Sequence, residues 1–441
     1  MTAIQGRAKA GRLSMSAVLD LLSKVRFSTA QPLDAAEFAA ESLRADAAAD
    51  FGQPSPRAAP SPRDGSCVER VYRAFDVSQP VETADDLFGR EAELRQLVDA
   101  VLHRRNHGFI AGQRGSGKTS LARAVGEKLD LEGAVVLYGA CEDGASLGEI
   151  VRGFLEQLPA SSLAAGTEAE FRRRVTDLPD QCTPAQANDL LALVRYSRLV
   201  IVLDEFDRVT EETIRHKLAS LMKLASDARL PVRIVLIGDY PSFTAVGRAH
   251  PSLLRHISFV PVNPLDRNAL LDLLRSCADR CGMRFAPEAL DLLTDVVCGS
   301  PYHARLFGLH AALESARAGE AQIGVGHATA GVHRAFAEWT TLCPDEAESL
   351  RRIAGGGHGD PEPYIRLARD EAALTAQPAR PGAAQAGGPI APEMAALGSA
   401  VNATEPGARF RERTAPQFLI ALAHVIAREP ARNQQGQHAD A

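Results

Sequence analysis

Apolar residues in this chain fall into two patterns, short unbroken runs and longer stretches with helical spacing. His107–Ala111 (HGFIA), Gly133–Ala140 (GAVVLYGA), Leu199–Asp207 (LVIVLDEFD), Pro231–Tyr240 (PVRIVLIGDY) and His256–Val262 (HISFVPV) are runs of strand length. They are too continuously apolar for strands with one wet face. Between them, Phe88–Arg105, Ser120–Leu129, Ser146–Leu158, Ala185–Ser197 and Glu211–Ala228 have amphipathic helical spacing. Such strands alternating with helices predict a five-stranded parallel sheet covered on both faces, an α/β fold. The polar, irregular segment from Pro159 to Thr183 receives no assignment.

After Pro264 the strand signal stops. Leu265–Gly282, Pro287–Cys298 and Tyr302–Ala316 predict three helices, an all-helical lid. Helices follow at Val332–Leu342 and Pro344–Ala354, where Trp339 and Phe336 are expected in a core. Glu393–Ile426 reads as a strand, a Thr-Glu-Pro-Gly turn, a second strand and a closing helix. The Pro/Ser-rich stretch before Val68 and a second low-complexity stretch at 377–392 are predicted to be disordered. The expected domains are a helical segment at 1–50, a linker at 51–66, a core at 67–262, a lid at 263–320, a C-terminal domain at 321–430 interrupted at 377–392, and a frayed tail at 431–441.

Composition narrows the class. A length of 441 residues exceeds one compact core, and 45% hydrophobic with 24% charged residues is ordinary for a globular chain. The net charge of −6 argues against a chain-wide nucleic-acid coat while leaving room for a local basic patch. Seven scattered cysteines without a C-x-x-C pair point to free thiols in the cytoplasm. Cys277 and Cys281 lack a second ligand pair, so zinc is not expected. His358 in GGGHGD likewise has no companion ligand. No apolar run approaches the ~20 residues of a membrane span, and the N-terminal LSMSAVLDLLS is broken by Asp20.

The chemistry begins at Gly112–Ser120 (GQRGSGKTS), which fits the phosphate-loop pattern G-x-x-x-x-G-K-[ST] between a strand and a helix. Residues Gly112, Gln113, Arg114, Gly115, Ser116, Gly117, Lys118, Thr119 and Ser120 are candidates to cradle the phosphates of a nucleotide. Lys118 would reach the β- and γ-phosphates, and the Thr119 hydroxyl would hold magnesium. Asp204, ending the third run, is the second candidate magnesium ligand, and Glu205 is placed to polarise an attacking water as general base. A guanine-recognition N/T-K-x-D motif is absent from the expected place, so ATP is favoured over GTP. A degenerate loop that binds without hydrolysis fits poorly, because both acids are present.

The combination of FGREAEL (Phe88–Leu94), GQRGSGKTS, LVIVLDEFD, RIVLIGD (Arg233–Asp239), HPSLLRHISFVPVNPL (His250–Leu265) and GSPYHARL (Gly299–Leu306) resembles the AAA+ ATPases. Within that superfamily the likeness is to the origin-recognition or initiator-like and transposition-helper clade, over roughly half of the chain. The resemblance implies ATP hydrolysis with ATP and Mg2+ bound. It makes Phe88, Gly89 and Arg90 candidates for base or ribose contact. The sensor-1 position falls on Asp239, where relatives more often carry Asn, Ser or Thr, with Tyr240 the adjacent alternative. Arg305 matches sensor 2, a lid arginine suited to phosphate by its permanent charge and forked donors. Arg255, then Arg248, match a finger that acts on a neighbouring subunit and so implies an oligomer.

The resemblance also implies a C-terminal winged helix, with Arg409, Arg411 and Arg413 beside its wing and duplex DNA as partner. A STAND-like signalling or defence switch, gating a protein partner rather than DNA, is the alternative. The Gly-Asp that ends the fourth strand tilts toward the first, since many STAND switches carry arginine there.

Overall fold

The computed structural model describes residues 66–195, 198–355, 360–373, 401–404, 407–410, 412 and 414–428. The N-terminal segment, most of the linker, the 377–392 stretch, the tail, His358, Arg411, Arg413 and the side chain of Arg409 lie outside the described residues.

Five strands, β1 (His107–Gly112), β2 (Ala134–Ala140), β3 (Arg198–Asp204), β4 (Val232–Gly238) and β5 (Ile257–Val262), form one parallel sheet in the order β2-β3-β4-β1-β5. Register is tight at the centre, where Ile110 of β1 pairs with Ile237 of β4 and with Val260 of β5. The two-residue period of a strand sends successive side chains to opposite faces. Phe109 therefore enters a core with Leu203 and Leu236, while Ile110 enters the opposite core with Val202 and Val235. Helices α2 (Glu91–Leu102) and α3 (Lys118–Leu131) cover the second face. The first is covered by α4 (Leu147–Leu155), α5 (Glu168–Thr176), α6 (Pro184–Leu191), α7 (Glu212–Asp227) and α8 (Tyr240–Ala249). Both faces are dry, which is why the strands read as continuous apolar runs.

Local signals start the helices. Ser146 and Glu149 form a reciprocal capping box on α4, and Thr183 with Gln186 does the same on α6, with Pro184 in its first turn. Nearby, one unassigned segment gains a helix and one expected helix is cut short. The unassigned Pro159–Thr183 contains α5, anchored by Arg172, whose guanidinium donates to the carbonyls of Leu155, Glu156 and Leu158 at 3.1, 2.9 and 2.6 Å. The helix expected over Ala185–Ser197 stops at Leu191, because Val194 turns to bridge Leu163. Tertiary bonds decide both.

The lid comprises α9 (Arg267–Arg280), α10 (Pro287–Val296) and α11 (Pro301–Arg317). It is not wholly helical: β6 (Arg284–Phe285) pairs in parallel with β7 (Gln322–Ile323), a ladder too short to leave a periodic signal. Helices α12 (Val325–Leu342), α13 (Pro344–Ala354), α14 (Glu362–Ala372) and α15 (Ala415–Arg428), with the antiparallel hairpin β8 (Val401–Thr404) and β9 (Gly407–Phe410), follow in the expected order. The four helices and Phe410 share one apolar core with the lid, so the expected boundary at 320 falls inside a packed unit. Gly331 explains the closeness: a Cβ there would lie 2.5 Å from the Ala311 backbone nitrogen. Trp339 stacks on Phe418 at 4.9 Å in that core. Helix α1 (Cys67–Ala74), counted with the ATP-binding core from sequence, also joins the lid, with the adjoining Phe75 edge-on to Phe285. Among the described residues no helix is long and apolar enough to cross a membrane.

Candidate active site

The loop between β1 and α3 is shaped by its glycines. Gly115 and Gly117 take φ of 76° and 91°, left-handed values that side chains resist, and Gly117 is the N-cap of α3. A Cβ on Gly112 would meet the Val262 carbonyl at 2.8 Å. The loop thus leads its amides toward the positive end of a helix, an arrangement that holds anionic oxygens. Lys118 Nζ donates to the Gln113 carbonyl at 2.9 Å.

Parallel strands bring the acids to the same rim. Thr119 Oγ1 donates to Asp204 Oδ2 at 2.9 Å, although the two are far apart in sequence. Tyr138 on β2 donates its hydroxyl to that same oxygen at 2.6 Å, and the Glu205 amide donates to Oδ1 at 2.8 Å. Burial, then the Asp204 charge, pushes the Tyr138 hydroxyl far above its ordinary pKa, so it stays a donor. The same two causes push the Cys141 thiol up to about 12. Hydroxyl and carboxylate oxygens at this separation suit a hard cation such as magnesium. Glu205 has φ of 53° and its half-exposed carboxylate pairs with Arg208 at 2.7 Å. Thr119, Asp204, Glu205 and Arg208 open on a cavity of about 610 Å³, also lined by Asp239 and by Pro301, Tyr302 and Arg305 of the lid.

The family comparison rests on the sheet-bearing part of the chain. Residues 86–237 match the model of the AAA ATPase domain. The chain therefore carries an AAA ATPase domain in this region. No curated protein matches its sequence. Among solved structures it is similar to a Walker-type ATPase of Pyrococcus abyssi, at 17% identity and a TM-score of 0.48 over 78% of this chain and 99% of that one. The ORC2 protein of Aeropyrum pernix, in ADPNP–ADP complexes, is 19% identical with a TM-score of 0.46 over 80% and 98% of the two chains. The ORC1 protein of the same organism, in complex with DNA, is 18% identical with a TM-score of 0.43 over 68% and 75%.

In this ATPase, several sequence candidates take structural partners. Arg90 is 4% exposed, and its guanidinium donates to the Ser116 carbonyl at 3.3 Å, to the Asn263 carbonyl and to Glu93. It braces the phosphate loop against the end of β5, and burial holds its pKa below the ordinary value. Gly89, at φ of 63°, lies where a Cβ would meet Ala269 at 2.5 Å, while Phe88 lines the cavity. Asp239 lines the cavity too, but its carboxylate caps α8 by accepting from the Ser242 amide at 2.9 Å and hydroxyl at 2.6 Å. Tyr240 packs its ring on Phe243 and Phe259. Arg305 reaches the cavity and donates to the Asp76 carbonyl at 3.2 Å. Arg255 and Arg248 are exposed and do not line it.

Sequence reading passed over three parts of the site. Tyr138 and Arg208 bear on the two acids, and residues 76–81 form a wall of the cavity. That wall is pinned by the Val81 amide donating to Ser120 Oγ at 3.2 Å. Gln113 also reaches outward, donating to the Glu371 carbonyl of α14 at 2.9 Å, while the Glu371 carboxylate accepts from the Phe410 amide of β9 at 2.9 Å.

Proposed function

We propose that the ATPase is a magnesium-dependent switch whose lid and C-terminal helices read its nucleotide and control its assembly on duplex DNA. The convergence of Lys118, Asp204, Glu205 and the lid's Arg305 on one cavity carries this reading. Lys118 would leave the Gln113 carbonyl for the β- and γ-phosphates, and the loop amides would hold their oxygens. A magnesium ion held by Thr119 and Asp204 would spread the charge of those phosphates. Glu205 would take a proton from the attacking water, which requires it to part from Arg208. Arg305 would move from the Asp76 carbonyl to the γ-phosphate and carry the lid with it. Arg255 and Arg248, exposed and away from their own cavity, are free to serve a neighbour's in an oligomer. The helix–hairpin–helix order of the C-terminal region supports a winged helix, and the Gln113–Glu371–Phe410 contacts tie its hairpin to the phosphate loop. Buried thiols such as Cys277 and Cys141 suit a reducing cytoplasm.

Those same contacts, with the net charge of −6, favour a second reading in which a protein, not DNA, is the gated partner. Steady-state ATP turnover with and without duplex DNA separates them, with Lys118→Ala and Glu205→Gln alongside. Stimulation by DNA that both substitutions abolish supports the first reading. Turnover indifferent to DNA moves the weight to a protein partner, and absence of turnover removes Glu205 as general base.

A further inference from the structure

The opposite end of the sheet carries a second, smaller cavity of about 170 Å³. Four arginines line it: Arg105 from the turn after α2, Arg198 opening β3, Arg229 from the turn after α7, and Arg233 in β4. Among the described residues none of the four has a carboxylate partner. Nearby acids are committed elsewhere, Asp99 to Arg104 and Asp227 to Lys223. Arg233 is the inner group, 8% exposed, with Nη1 spent on the Leu230 and Val232 carbonyls. Its Nε is buried without an acceptor. Burial, then the charge of Arg105, holds its pKa below the ordinary value.

A buried guanidinium with an unanswered Nε thus shares one cavity with three more arginines. Two of the four also hold unfavourable backbone: Arg105 and Arg229 take φ of 55° and 53° just past their helices, positions glycine usually fills. The helices that end there, α2 and α7, turn their negative ends toward this edge, so side chains must supply the positive field.

We propose that this cavity binds a phosphate group carried by a small molecule, at a site separate from the nucleotide. Planar forked donors match phosphate oxygens in pairs. The volume is well under the 610 Å³ of the nucleotide cavity, so the ligand is a mono- or diphosphate moiety rather than a second nucleotide.

The test is calorimetric titration of the full chain, saturated with ADP, with orthophosphate, pyrophosphate or a short DNA duplex. The expected result is saturable one-to-one binding of one of the two phosphates that persists in Lys118→Ala. It weakens at least tenfold in the double variant Arg105→Gly, Arg229→Gly, and also in Arg233→Met. Glycine suits both turns, so the double variant should melt no lower than the native chain, which separates lost binding from lost folding. No binding to the ADP-saturated chain, or equal binding by both variants, overturns the proposal. So does binding of duplex alone that disappears in the double variant, which would make this a nucleic-acid contact.

Discussion

The two ends of one sheet solve the same electrostatic problem by different means. At the C-terminal edge, glycines at φ of 76° and 91° turn backbone toward the N-terminus of α3, and acids sit among the cations. At the N-terminal edge, helix ends present carbonyls, and four arginines without acidic partners among the described residues line the cavity. One site is made of backbone and needs glycine. The other is made of side chains, and it keeps arginine at left-handed turns where glycine would be relaxed. A parallel α/β sheet imposes the difference, because its helix dipoles all point one way across it.

The largest expected effect tests the backbone-built end. Gly117→Ala places a Cβ at φ of 91°, 3.5 Å from Pro301 Cγ. Nucleotide affinity, followed by fluorescent-analogue titration, should fall by about a hundredfold, and Lys118→Ala should lower turnover by at least as much. Near-native affinity in Gly117→Ala would show that backbone shape is not what binds phosphate there.

Next comes pH. His107, fully buried at the start of β1, accepts from the Ile234 amide on Nδ1 and contacts the Met222 carbonyl and Ser226 hydroxyl through Nε2, each at 2.9 Å. Burial first, then Arg233, pushes its pKa down from 6.5 to about 3. His303, buried near Phe307 and Phe418, is likewise lowered by burial to about 3. Between those values the unfolded chain binds protons that the folded chain refuses. Stability is therefore full above pH 6.5 and falls as pH drops toward 3, by about 1.4 kcal/mol per pH unit per histidine. Denaturant unfolding at pH 7 and pH 5 checks this, and His107→Gln should flatten the slope.

A smaller effect sharpens the acid side. Tyr138→Phe removes a donor from Asp204 Oδ2 and should raise the magnesium concentration for half-maximal turnover a few-fold, about 1 kcal/mol or less. An unchanged magnesium requirement would make Tyr138 a packing residue only. The smallest effect returns to the arginines: Arg105→Gly and Arg229→Gly should each raise stability by about 0.5–1 kcal/mol, read as melting temperature, since left-handed φ suits glycine.

The alternation of strand and helix was legible because both faces of the sheet are dry. The phosphate loop was legible because its demands, turn glycines and a helix start, fall within nine consecutive residues. Less could be read of the lid, whose β6–β7 ladder is two residues long, or of α5, whose anchor is Arg172 reaching back to α4. Arg90 and Asp239 were candidates for nucleotide contact through the resemblance alone, and nothing in the sequence marked them as the brace and helix cap the structure makes of them.

By itself the sequence determined the α/β class, the phosphate loop and the acids at the end of the third strand, all set by neighbours along the chain. Tertiary structure alone decided that Thr119, Tyr138 and Asp204 meet on one oxygen, that α12–α15 join the lid core, and that four arginines from separate turns and strands share a cavity. Local backbone conformation is written in adjacent residues. Convergence across the order β2-β3-β4-β1-β5 is not, because that order places side by side strands the chain separates.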